Sequence, residues 1–217
     1  MPLFIRSLIL LLFSISHCWA ANISFSVVDK DNNPLADAII SLTPTSEGAI
    51  KAAATAAAPV AQMTQSNKQF NPHVVAVQQG HKVHFPNEDS IKHQVYSLSE
   101  LQQFDLTVEA GATEHGPQMT STGAINIGCN IHDWMQAYVY VVDTPWFGQT
   151  DADGLVSIEL PDNETFSWQL WHPRVSSEEA HSGGLIQAPY GQVDIILKSA
   201  LLPAYDEASD FDDFDDY

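Results

Sequence analysis

Polar and apolar residues alternate with period two soon after the chain begins. Ile23, Phe25 and Val27 stand against Ser24 and Ser26, the pattern of a strand with one face buried. Asp29-Lys30-Asp31-Asn32-Asn33-Pro34 is a cluster of turn formers. The apolar run Ala38–Leu42, closed by Thr43-Pro44, predicts a second strand, and the two are expected to pair as a β-hairpin. Residues 46–61 are alanine-rich, but no apolar stripe exists to dock a helix, and Pro59 interrupts. This segment reads as a linker with a frayed helical turn.

From residue 62 onward, short β-rich runs alternate with turn residues. They are Val74–Val77, Lys82–Phe85, His93–Tyr96, Phe104–Val108, Ala124–Ile127 and Ala137–Val142. With no βαβ alternation, the pattern predicts an antiparallel sandwich or barrel rather than a parallel sheet. Beyond Phe147, Leu155–Leu160 and Phe166–Trp171 alternate again, 173–189 form a long polar loop, and Val193–Leu197 is a last strand. Segments 22–45 and 147–199 are each too short to bury a core alone. They are expected to form one small sandwich, with 62–143 as a second unit inserted between them. The fold class expected is therefore all-β, in two sandwiches.

Composition changes this picture at both ends. Met1–Ala20 carries Arg6, an apolar run Leu8–Phe13, then Cys18-Trp19-Ala20, the layout of a secretory leader cleaved after Ala20 or Ala21. Its apolar run is too short to span a bilayer, so export to a periplasm, without a membrane span, is expected. At the other end, Asp206–Tyr217 holds seven acids in twelve residues and no apolar periodicity. Residues 200–217 therefore read as a disordered acidic tail. The whole chain carries 8 basic and 27 acidic residues, a net charge of −19. Loss of the leader with Arg6 takes it to about −20. That balance excludes nucleic acid as a partner and allows steering toward a basic protein.

The leader also removes one of the two cysteines, leaving Cys129 as the only mature thiol. An oxidising compartment favours disulfides. A lone thiol there is buried and inert, paired between chains, or bound to metal. Cys129 lies in Gly128-Cys129-Asn130-Ile131-His132-Asp133-Trp134-Met135, with a histidine three residues on and a methionine three further. Two imidazoles and a thiolate in a plane, with a weak axial thioether, make a mononuclear copper electron-transfer site. That ligand set suits both oxidation states of copper. His93, opening a strand after the polar loop Asn87–Lys92, is the candidate for the second imidazole.

Taken singly, Cys129 reads equally as a small core residue, His132 as a satisfied structural histidine and Met135 as core filler. Zinc is the chemical rival, and a thioether ligand argues against it. His81 and His84 are expected on opposite strand faces, and His73 and His115 in loops. Trp171-His172-Pro173 reads as packing and interface. No serine, cysteine or histidine order suggests nucleophilic catalysis, so the chain is expected not to be an enzyme.

Two stretches resemble known families. Val27-Val28-Asp29, Asn33-Pro34-Leu35 and Ala38–Leu42, with Thr150-Asp151-Ala152-Asp153-Gly154 before Leu155–Leu160, resemble a carboxypeptidase regulatory-like (transthyretin-like) sandwich. Gln79-Gly80, the strand ending Phe85-Pro86-Asn87, the loop to His93 and the short Cys129–His132–Met135 loop resemble the cupredoxin family, which includes plastocyanin and amicyanin. The string Gly128–Met135 also resembles exported bacterial proteins labelled methylamine-utilisation proteins, which join the two kinds of domain. This resemblance implies a Greek-key cupredoxin domain over 62–143 holding one type 1 copper through His93, Cys129, His132 and Met135. It implies that Asn87 bonds across to the cysteine loop, with Asn130 also in the shell around the ligands. It further implies that electrons leave through the His132 edge at a patch for which Trp134 and Trp146 are candidates, toward a redox partner protein. Carriage or sensing of copper is the alternative function. A metal-free adhesion module is a third.

Overall fold

The structure is a computed structural model that describes residues 20–53, 60–162, 164–176 and 183–204. The segment expected to be a leader, up to residue 19, the middle of the alanine-rich segment and the expected acidic tail from 205 lie outside the described residues. The first elements are β1 (Ala20–Val28), β2 (Ile39–Pro44) and the short helix α1 (Glu47–Ala53). Next come β3 (Ala61–Gln62), β4 (Thr64–Ser66), β5 (Gln69–Asn71), β6 (Val74–Gln78), β7 (Val83–Pro86) and β8 (His93–Ser99). They are followed by β9 (Gln102–Val108), β10 (Thr113–His115), β11 (Gly123–Cys129) and β12 (His132–Val142). The chain ends in β13 (Phe147–Gln149), β14 (Leu155–Pro161), β15 (Thr165–Trp171), β16 (Leu185–Gln187) and β17 (Gln192–Ile196).

The fold is all-β. Strands β10-β7-β3 and β6-β12-β11-β8-β9 form two sheets that close on one core, which includes Met63, Val83, Phe85, Val95, Ile127 and Val139. Strands β14-β1-β17 and β13-β2-β15-β16 form two more, around Ile23, Phe25, Ile40, Leu42, Leu160 and Phe166. The chain leaves this second core after β2 and returns to it at β13.

Two sequence expectations need correction. β1 and β2 are not a hairpin, since they lie in opposing sheets of one sandwich. The reason is in β2, which is buried on both faces rather than one. Ile40 and Leu42 point into its own core, while Ile39 packs outward with Val74 and Val142. A continuous apolar run signals such two-sided burial, and it cannot tell which neighbours do the covering. The arch between β1 and β2 is held by Thr150, whose hydroxyl donates to the Leu35 carbonyl (2.6 Å) and accepts the Ala38 N–H (2.9 Å). Gly154 closes the same corner at φ 72°, where a side chain would run into the Val27 carbonyl.

The second correction concerns strand direction. Most pairs are antiparallel, but β17 lies parallel to β1, β12 to β6 and β3 to β7. Each parallel pair is reached by passing through the opposite sheet rather than by a helical crossover, so the absence of βαβ alternation does not exclude it.

The sandwiches meet on the outer faces of β2 and β12. Tyr140 stacks on Trp171 with ring centroids 4.5 Å apart and planes 11° from parallel, and Tyr138 meets Trp171 edge-on at 5.9 Å. Buried aliphatic side chains such as Ile39 and Val142 contribute about 1.5–3 kcal/mol each here. His172 follows Trp171 and is also buried. Its Nδ1 accepts the Arg174 N–H at 3.2 Å, so the ring is bound in its neutral form. Burial, with Arg174 adding repulsion, pushes its pKa down to about 4.

Two expectations follow from this interface. Trp171→Ala will cost about 3 kcal/mol, and calorimetry will resolve two transitions where the parent shows one. The unfolded chain protonates His172 near pH 6.5, whereas the folded chain does so near 4. Its stabilisation is therefore complete above pH 6.5 and lost as pH falls toward 4, a span of order 3 kcal/mol. Urea unfolding of His172→Asn, which keeps an acceptor for Arg174, will show a shallower loss of stability between pH 6.5 and 4 than the parent.

Candidate metal centre

The centre forms at one end of the five-stranded sheet, where β8, β11 and β12 run side by side. On β11 the residues Ile125, Ile127 and Cys129 face the core, with smaller or exposed residues between them. On β8, His93, Val95 and Ser97 do the same. Cys129 pairs with Val95, so His93, two residues further on, sits diagonally beside the cysteine on the same face. Gly128 pairs with Tyr96, and a Cβ there would press on the Tyr96 ring at 2.9 Å. A side chain before the cysteine would therefore have to push the Tyr96 ring aside.

Strand β12 supplies the rest through a break in register. Cys129 pairs with His132 and Gly128 with Gln136, so Asp133, Trp134 and Met135 are unmatched on the partner strand. A regular strand puts residues three apart on opposite faces. The irregularity lets both His132 and Met135 be buried, at 8% and 1% exposure, while Asp133 faces out. Met135 joins the core cluster that contains Cys129, and both residues line one small cleft.

The donor atoms converge. Cys129 Sγ lies 3.7 Å from His93 Nδ1 and 3.7 Å from His132 Nδ1, and the three donors lie within 4.8 Å of one another. Metal–nitrogen and metal–sulfur bonds of about 2.0 and 2.3 Å, opened to the 120° of a plane, place sulfur and nitrogen about 3.7 Å apart. The donor set of one buried thiol and two buried imidazoles thus fits a metal ion. The thiol is free, the sole free cysteine among the described residues. Burial holds the His132 ring below the usual histidine range, with repulsion from His93 and Lys68 adding to it. That ring therefore offers a lone pair near neutral pH.

Hydrogen bonds around the centre differ from the expected arrangement. Asn87 is buried, but it does not reach across to the cysteine loop. Its Nδ2 lies within donating distance of the Ile91, Val108 and Glu109 carbonyls (2.8, 3.0 and 3.2 Å), and its Oδ1 accepts the Asp89 N–H. Those carbonyls belong to its own loop and to the end of β9, so Asn87 folds the loop that delivers His93. Asn130 is exposed. Trp146 is remote in packing terms, set edge-on to Phe166 in the other sandwich's core. Trp134 is next to the centre, its ring 5.1 Å from that of His132.

The residue that sequence reasoning missed is Asp89. Its Oδ2 lies 2.8 Å from His93 Nε2. Its oxygens also accept the backbone N–H groups of Asn67 (2.7 Å) and Lys68 (2.9 Å). Burial works against the charged carboxylate, yet the hydrogen bonds from Lys68, His93 and Asn67 hold it below the usual carboxylate range. The signal was weak, an aspartate four residues before a histidine in a polar loop. The β4–β5 hairpin that presents Asn67 and Lys68 was missed as well. Its one cue was Asn67, a residue that tolerates the positive φ both turn positions adopt (55° and 57°). His115 corrects another expectation. It lies on β10, opposite His84 in register, with ring centroids 4.2 Å apart. His81 stands in the turn before β7 and His73 in the β5–β6 connection.

No family model matches the sequence, and no curated protein matches it. Among solved structures, the chain is similar to a purple cupredoxin from Nitrosopumilus maritimus, at 19% identity and a TM-score of 0.34, covering 38% of this chain and 99% of that one. It is also similar to amicyanin from Paracoccus versutus, at 17% identity and a TM-score of 0.36, covering 46% of this chain and 97% of that one.

Proposed function

We propose that residues 62–143 form a cupredoxin domain that binds one type 1 copper ion through His93, Cys129 and His132, with Met135 as the weak axial ligand. In this reading the protein is an electron carrier and not an enzyme. The observation that carries it is the convergence of Cys129 Sγ with two imidazole Nδ1 atoms, each at 3.7 Å, inside a rigid sandwich. Copper bound there would supply a one-electron couple. The chain's own part is to hold soft and borderline donors in an arrangement acceptable to both oxidation states, so that little rearranges on transfer. The β-sheet fixes Cys129 and His93 by register, and the β11–β12 turn fixes His132.

His93 is the inner imidazole, at 1% exposure. His132 lies nearer the surface beside Trp134 and the exposed Ile131. We therefore place electron exchange at the His132 edge, with Trp134 and Ile131 forming the docking patch for a redox partner protein. The leader composition supports export, and no helix among the described residues is long and apolar enough to cross a membrane. The sandwich built on β1, β2 and β13–β17 is proposed as a regulatory-like module that flanks the copper domain.

Purified protein loaded with Cu(II) will show an intense thiolate-to-copper band in the visible, and Cys129→Ser will abolish it. A band that survives the substitution overturns the assignment. Repeated reduction and reoxidation will leave the metal in place; ready loss of Cu(I) to a chelator will instead favour copper delivery over electron transfer. Met135→Gln will keep the band but lower the reduction potential, because an amide oxygen is harder than a thioether and favours Cu(II). Voltammetry of the two proteins checks the sign.

A further inference from the structure

Both histidines of the centre are tied to one two-residue turn. Asn67 and Lys68 form the tip of the β4–β5 hairpin, and their N–H groups bind the Asp89 carboxylate, which in turn meets His93 Nε2. The carbonyl of Lys68 accepts the Trp134 Nε1–H at 3.2 Å, and Trp134 lies against the His132 ring. The His93 side chain is fully buried and that of Asp89 is 16% exposed, so the contact is poorly screened. A charge-assisted bond there is stronger than a neutral one.

We propose that Asp89, clamped by the Asn67–Lys68 turn, is a positioning residue that fixes His93 as a metal ligand and biases the centre toward its more highly charged state. This rests on the reading that the centre takes copper. The physical case has two parts. A carboxylate accepting from Nε2 keeps the hydrogen on that nitrogen and leaves the Nδ1 lone pair aimed at Cys129, which selects the tautomer. The same negative charge makes the imidazole a better donor, and it stabilises Cu(II) more than Cu(I), which carries one charge less. A purely structural role, holding the hairpin tip to the loop, predicts a loss of stability alone. It predicts neither a change in tautomer nor a directed change in redox preference.

The experiment uses the full mature chain at one fixed pH. Asp89→Asn keeps the shape and one acceptor oxygen, and Asp89→Ala removes both acceptors. Circular dichroism and thermal melts identify which variants fold. In the metal-free parent, nitrogen NMR of the histidine rings will show His93 protonated on Nε2, and Asp89→Ala will redistribute it between tautomers. In the copper-loaded proteins, Asp89→Asn will lower the ratio of Cu(II) to Cu(I) affinity about tenfold, read as a rise in potential of about 59 mV for this one-electron couple. The proposal is overturned if the parent ring carries its hydrogen on Nδ1, or if Asp89→Ala leaves the tautomer unchanged. It is equally overturned if Asp89→Asn keeps the thiolate band with a ratio within twofold of the parent. Failure of the copper reading is a different result, the absence of a Cys129-dependent band in the parent itself. The metal-free tautomer then still decides whether Asp89 positions His93, and the redox half falls with the copper.

Discussion

The centre depends on one irregular pairing, that of Cys129 with His132 across the two-residue connection Asn130-Ile131. A tight reversal brings a thiol and an imidazole three residues apart to the same side. The break in register just beyond it lets β12 rejoin its partner without turning Met135 out of the core. Everything else confines that reversal. Val95 backs the cysteine from β8, the Tyr96 ring occupies the space beside Gly128, and the hairpin tip closes the open side through Trp134. Were β12 regular with Met135 kept on the core face, Asp133 would share that face and His132 would turn outward, and burying an unpaired carboxylate costs several kcal/mol.

Local pattern made some of this legible in the sequence, and its limits explain the rest. Period-two alternation marks β1, β14 and β15, because each has one face on a core and one elsewhere. The run Ala38–Leu42 marks a strand equally well, but it hides the partner, since a strand covered on both faces shows no alternation to orient it. The short strands β3 and β10 carry too few residues for any period. The proposed ligand residues stand out through side-chain chemistry. Thiol, imidazole and thioether at spacings of three are uncommon together, and His93 follows a turn cluster at a strand start. What surrounds them does not stand out. Asn87 and Asp89 are both polar loop residues two apart, and nothing in their spacing says that one folds the loop and the other bonds His93. That depends on where a hairpin twenty residues upstream comes to rest, which is a tertiary fact.

Charge follows the same division between what is general and what is local. A net charge of −19 describes solubility and long-range steering, both weakened by salt. The carboxylate that matters at the centre is one of many by count. It differs because three donors hold it ionised against a ring that is itself out of water. Its effect is therefore expected to survive ionic strengths that screen the rest of the acidic surface.

The second sandwich bears on the centre through β12. That strand brings His132 and Met135 to the candidate centre, then sends Ala137, Val139 and Val141 into its own core. Its alternate residues Tyr138 and Tyr140 meet Trp171 of the flanking sandwich. One face of the ligand-bearing strand is thus packed by its own domain and the other by its neighbour. A strand held on both faces has little freedom to slide or twist. An electron-transfer site gains from that restraint, because its barrier grows with the movement of its ligands between oxidation states. The flanking sandwich therefore has a physical role even without a ligand of its own: it stiffens the strand on which two of the four proposed ligand residues are mounted.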